Sequence, residues 1–144
     1  MISSTRPADF NPIYHVASCF VERPDGAILL LLRLPHKSEG NKWGVPAGKI
    51  ENGESPRSAI VREVQEETSI TLPALPTPFA TYFMRYPDYD FVYHVFHAHV
   101  PHSARVQTSP AEHQSFCWAT PAQALQLNLV KYQDNCINDF YFPA

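Results

Sequence analysis

Gly48-Lys49-Ile50-Glu51-Asn52-Gly53-Glu54-Ser55-Pro56-Arg57-Ser58-Ala59-Ile60-Val61-Arg62-Glu63-Val64-Gln65-Glu66-Glu67-Thr68-Ser69-Ile70 is the most patterned stretch of the chain. It opens as a glycine-bearing loop and runs into a segment that reads as a helix from Ser55 to Thr68. Ser55 suits the cap, Pro56 suits the first turn, and Ser58 to Thr68 holds neither glycine nor proline. On that helix Glu63, Glu66 and Glu67 stand at i, i+3 and i+4, an arc of about 100° on one face. Ile60, Val61 and Val64 fill the neighbouring arc and give the helix an anchor in a core. Like charges at these spacings cost a few tenths of a kcal/mol per pair in an isolated helix. Such a face is either solvated or neutralised by a bound partner. A solvated face has no need of the loop residues that precede it at fixed offsets, Gly48, then Glu54, then Arg62 beside Glu63. Arg62 can bridge to Glu54 and hold loop and helix in register.

Upstream, Ile13 to Glu22 and Ala27 to Arg33 are rich in Val, Ile, Leu and Phe. They flank Arg23-Pro24-Asp25-Gly26, a type I turn sequence, and predict an antiparallel hairpin. Leu34 to Asn41 reads as an irregular loop, and Lys42 to Pro46 as a short extended piece before a proline. Downstream of a proline-rich link, Phe79 to Tyr86 and Asp90 to Val100 predict a second hairpin about Pro87-Asp88-Tyr89. Gln114 to Ala119 reads as a last strand. Pro121 to Phe142 reads as mostly helical, with Leu129, Cys136, Ile137 and Phe140 at helical spacing. Hairpins with one helix between them and one at the end predict an α+β fold, with helices covering a mixed sheet.

The 144 residues suit one domain over residues 1–144, and 44% apolar residues suffice for a core. Residues 1–12, polar and carrying Pro7 and Pro12, are expected as a flexible N-terminal segment that is neither signal peptide nor transit helix. A net charge of −3 supplies no field for large nucleic acid or an anionic membrane surface. The longest apolar run, Ala27 to Leu32, is far below the roughly 20 residues needed to span a bilayer. Cys19, Cys117 and Cys136 are odd in number and widely spaced, which argues for reduced thiols and a cytoplasmic location. No residue pattern speaks for or against a homodimer.

The charge is unevenly distributed. Glu51, Glu54, Glu63, Glu66 and Glu67 lie between Gly48 and Ile70, while eight of the eleven bases lie at or before Arg62. In this pattern the sequence resembles the Nudix hydrolases, whose signature runs Gly, five residues, Glu, seven residues, Arg-Glu, an aliphatic residue, any residue, Glu-Glu, any residue, Gly, aliphatic. Every fixed position matches except Ser69, where the family has glycine; that glycine eases the helix end into a left-handed turn. Trp43-Gly44-Val45-Pro46-Ala47 resembles the family's approach to this box, and the flanking hairpins and terminal helix fit its α/β/α sandwich.

The resemblance implies hydrolysis of a nucleoside diphosphate linked to another moiety, by attack of water on phosphorus. An all-oxygen ligand set favours Mg²⁺ or Mn²⁺. It implies Glu63, Glu66 and Glu67 as metal ligands together with the Ala47 carbonyl, and Arg62 and Glu54 as orienting residues. Glu112 lies six residues before Trp118, where the MutT-like branch carries a metal-reaching glutamate, and is a base or an extra ligand on that ground; His113 is the weaker candidate. Arg33, Lys37 and Lys49 are candidate phosphate contacts and Tyr86 a candidate substrate contact. Ordinary surface or packing roles remain open for each. His97 and His99 share a strand face while His94 points away from it, and packed or substrate-facing histidines are favoured over metal ligands there. The expected substrate is a small phosphorylated nucleotide, a nucleoside triphosphate in the first instance and ADP-ribose or a nucleotide sugar in the second. A non-catalytic nucleotide-binding module is the rival from another class, disfavoured because every box carboxylate is present.

Overall fold

The computed structural model describes residues 1–144 and contains eight strands and three helices. The strands are β1 (Ile2–Ser3), β2 (Pro12–Glu22), β3 (Ile28–Arg33), β4 (Trp43–Gly44), β5 (Ala47–Lys49), β6 (Thr77–Arg85), β7 (Asp90–His99) and β8 (His113–Ala119). The helices are α1 (Pro56–Thr68), α2 (Pro121–Ala124) and α3 (Gln133–Tyr141). No helix is long and apolar enough to cross a membrane.

The sheet runs β1-β6-β7-β2-β3-β4, with β5 also on β2 and β8 also on β3. Only the β2–β7 pairing is parallel, so the sheet is mixed as expected. Strand periodicity divides the core in two. Cys19, Val21, Leu29 and Leu31 face Ala59, Ile60 and Val64 of α1, whereas Phe20, Ile28 and Leu30 face Cys136 and Ile137 of α3. The two faces alternate residue by residue, and helices cover both, which gives the α/β/α sandwich. Full burial of Ile60 and Val64 holds α1 to the sheet by about 1.5–3 kcal/mol each. Ser55 caps that helix by accepting the Ser58 N–H, with Pro56 in the first turn.

Three expectations need correction. The first hairpin turns where predicted, with the Gly26 N–H donating to the Arg23 carbonyl, yet β2 and β3 are in register only at Glu22 and Ile28. Beyond that pair they splay apart, because β5 takes the edge of β2 at Val16–Ser18 while β3 turns to β8 and β4. The terminal segment is not one helix. Between α2 and α3 the chain runs alongside Trp43, whose N–H donates to Asn128 and whose carbonyl accepts from Val130. These long-range backbone bonds outweigh the helical spacing of the apolar residues. Finally, residues 1–12 are tied down rather than loose: Ile2 and Ser3 pair with Met84 and Phe83, and Phe10 is buried with its ring edge-on to Phe83.

Candidate active site

The carboxylates fall into two groups along α1. In the first, Arg62 lies in the middle of the helix and its guanidinium faces back over the loop. Nε and Nη2 donate to both oxygens of Glu54 at 2.8 and 2.9 Å, while Nη1 donates to Glu63 at 2.8 Å and Glu66 at 3.1 Å. Nη2 also donates to the Lys49 carbonyl at 3.2 Å. The bidentate bridge to Arg62 holds the Glu54 carboxyl down to about 2. Loop and helix are locked as the spacing implied.

Gly48 passes directly over Glu63. A Cβ built there would stand 2.1–2.3 Å from the Glu63 carboxylate atoms, so any side chain at this position would push that carboxylate aside. Ala47, one residue earlier in β5, donates its N–H to Glu67 Oε1 at 3.0 Å.

In the second group Glu67 is buried, 6% exposed, and no cation bonds it. One of its oxygens lies within 4.8 Å of a Glu112 carboxylate oxygen and a His113 ring nitrogen. Burial, followed by the charge of Glu63, pushes its carboxyl well above the ordinary Glu range, and Ala47 and Arg33 only partly oppose this. Glu63 is raised too, chiefly by burial, against the pull of Arg62. His113 is buried with an unpartnered Nδ1, and burial with the nearby Arg33 charge lowers its pKa to about 4, so the imidazole is neutral at physiological pH. A fold that buries an uncompensated carboxylate beside two others fits a hard divalent cation: the donors are carboxylate oxygens, with the neutral imidazole at the margin.

A cavity opens beside Glu67 and His113, walled by Leu31, Val45, Tyr86, Tyr93 and Tyr132, with Arg33 and Lys131 as its basic residues. Gln133, the first residue of α3, is 3% exposed and lines the cavity. Its Oε1 accepts the Val45 N–H at 3.1 Å, and its Nε2 has no partner. That unpartnered donor is itself buried, on a residue that lines the cavity.

A family model described as the NUDIX domain matches residues 14–140. The chain belongs to the Nudix hydrolase family. It is 33% identical over 114 residues to the CTP pyrophosphohydrolase of Escherichia coli K12, an alignment spanning 79% of this chain and 81% of that protein. It is 34% identical over 106 residues to a Myxococcus xanthus octanoyltransferase, covering 72% of this chain but only 29% of that protein. The crystal structure of the MutT protein from Methanosarcina mazei Go1 superposes with a TM-score of 0.79 at 26% identity, covering 90% of this chain and 94% of that one. These likenesses put the chain in the MutT-like branch.

Within the Nudix frame the structure brings together Ala47, Glu54, Arg62, Glu63, Glu66, Glu67 and Glu112, and sets Arg33 and Tyr86 on the cavity wall. It does not bring the two lysines there. Lys49 Nζ sits 4.4 Å from the Tyr14 ring centroid, and Lys37 is exposed in the 34–42 loop, neither lining the cavity. Sequence reasoning missed Gln133, Lys131 and Tyr132. The alternation Gln126-Leu127-Asn128-Leu129-Val130 carries a period of two that signals an extended segment; nothing in a single glutamine marks it as facing a cavity.

Proposed function

We propose that the chain hydrolyses a nucleoside triphosphate to the monophosphate and pyrophosphate, with Mg²⁺ or Mn²⁺ as cofactor. The observation that carries this reading is the free Gln133 amide and its aromatic walls beside the Glu67–Glu112–His113 cluster. A base stacked against Tyr86 and Tyr132 would direct its polyphosphate toward the carboxylates. The similarity to a CTP pyrophosphohydrolase over most of both chains supports the same substrate class.

Glu63, Glu66 and Glu67, with the Ala47 backbone, would hold the cations, which when bound neutralise phosphate charge and polarise the phosphorus under attack. The protein's own groups do the rest. Arg62 orients Glu63 and Glu66 from behind, and Glu54 orients Arg62. Arg33 offers a guanidinium to a phosphate oxygen. Glu112, exposed at the rim next to Glu67, takes the proton of the attacking water. Neutral His113 stays a hydrogen-bonding group and does not add a positive charge that would compete with the cations.

The test is a substrate panel with Mg²⁺ or Mn²⁺: ribo- and deoxynucleoside triphosphates, oxidised guanine nucleotides, ADP-ribose, nucleotide sugars and dinucleoside polyphosphates. The expected result is pyrophosphate release from a triphosphate, abolished by Glu66→Gln or Glu67→Gln with nucleotide binding largely kept. Cleavage of ADP-ribose or a nucleotide sugar in preference would move the assignment to the second substrate class. Binding without cleavage of any member overturns the enzymatic reading.

A further inference from the structure

At the other end of the sheet, away from the box, Glu22, His97 and His99 converge on one face. Glu22 ends β2, and the two histidines lie on β7 two residues apart, so both point to the α3 side of the sheet. The parallel register pairs Phe20 with His97 and Glu22 with His99, which brings the three side chains side by side. One donor atom from each, carboxylate oxygen or imidazole nitrogen, lies within 4.8 Å of the other two. Glu22 pairs with the first residue of β3 and the active-site residue Arg33 is the last, a separation of roughly 17 Å at strand spacing.

A hydrogen-bonded pair accounts for only part of this arrangement. His97 Nε2 lies 3.0 Å from Glu22 Oε1, and the Tyr141 hydroxyl donates to the same oxygen at 2.7 Å. His99 has no part in that pair: its ring stands edge-on, 4.6 Å from that of His97 by centroid, with no protein hydrogen bond to either nitrogen. Phe140 closes the far side of His97 at 4.9 Å and leaves the cluster open toward His99, the exposed member. The result is two imidazoles and a carboxylate on rigid strands, an apolar wall, and a tyrosine that fixes the carboxylate from outside.

We propose that Glu22, His97 and His99 form a second metal site, separate from the box, that takes a borderline transition cation with Zn²⁺ foremost. Two nitrogen donors and one oxygen suit Zn²⁺ and disfavour Mg²⁺, so the two sites divide the metals by ligand chemistry. Three protein ligands leave a fourth position to water, reached from the His99 side. Tyr141 is the outer partner that orients Glu22, and through it the ion ties the ends of β2 and β7 to α3.

The experiment uses the full chain, stripped with chelator and returned to excess Mg²⁺ so that the box is filled with its own kind of ion. Zn²⁺ and Co²⁺ are then titrated, with visible absorption and thermal melting as readouts. The expected result is one equivalent bound at micromolar or tighter affinity, four-coordinate Co²⁺ bands, and a melting temperature higher by several degrees. His99→Ala, an exposed change that leaves the core intact, should weaken Zn²⁺ binding at least tenfold and remove the bands. Tyr141→Phe should keep the site and weaken it by about tenfold, as loss of an outer partner does. Titrations of wild type and His99→Ala that superimpose overturn the proposal. So does a failure to bind Zn²⁺ in Mg²⁺, or an equivalent lost on Glu67→Gln and not on His99→Ala.

Discussion

Glu54 and Glu67 belong to the same acidic box and live in opposite electrical conditions. Glu54, in the loop before α1, is spanned by the Arg62 guanidinium and held down to about 2. Glu67, on the last turn, is buried near Glu63 and Glu112 with only a backbone N–H for company, and is pushed well above its ordinary range. The first is a strut, satisfied within the protein. The second is a buried carboxyl with no cationic side chain bonded to it. Charge count alone hides this; what separates the two is where the Arg62 guanidinium points.

The strongest way to break the comparison is Glu67→Gln. The isosteric amide removes the buried charge, keeps an oxygen for the Ala47 N–H and discards a ligand. Turnover should fall at least a thousandfold, roughly 4 kcal/mol in barrier. The metal-free melting temperature at pH 8 should rise by about 2–8 °C, seen in paired melts with and without chelator. Arg62→Lys attacks the strut instead. Lysine keeps the charge but cannot span Glu54 while reaching Glu63 and Glu66. Activity should drop about 10- to 100-fold, with a higher Mg²⁺ requirement and a lower melting temperature, read from metal titrations and thermal scans.

The pH dependence of stability should separate the two glutamates. Glu67 has a folded pKa above the ordinary 4.5, so its contribution is complete below that value and is lost as pH rises through the folded pKa. Glu54 runs the other way: its contribution is present above 4.5 and is lost as pH falls toward 2. His113, lowered to about 4, also costs stability as pH falls from 6.5. The clean measurement is therefore the difference in denaturant stability between wild type and Glu67→Gln without metal. That difference should widen from pH 5 to pH 8 and close when Mg²⁺ is added.

The smallest effect is expected at Ser69, just past Glu67. It holds φ +65° at the helix end, where the family has glycine, and its hydroxyl donates to the Gln107 carbonyl at 3.2 Å. Ser69→Gly relieves a left-handed residue and loses that bond, two effects of about 1 kcal/mol each and of opposite sign. Stability by chemical denaturation should change by less than about 1 kcal/mol.

How far the sequence could be read follows from the range of the interactions. The box is local: cap, arginine bridge and carboxylate face all lie within 23 residues, and the structure reproduces that arrangement. The turns at Pro24-Asp25-Gly26 and Pro87-Asp88-Tyr89 are equally local and fall where predicted. The misses are distant contacts. Nothing near β2 announces that β5 will displace β3 from its edge, and nothing near Leu129 announces Trp43. Gln133 owes its meaning to Val45, 88 positions earlier.

That last separation bears on the order in which the molecule is completed. Every box carboxylate and its arginine are present once Glu67 has been made, but the cavity's far wall comes from residues 130–136. Bringing that wall to Trp43 and Val45 closes a loop of more than 80 residues, a slow step relative to capping one helix. The carboxylate box thus rests on neighbours in sequence, whereas the chamber beside it rests on contacts that only the finished chain can supply.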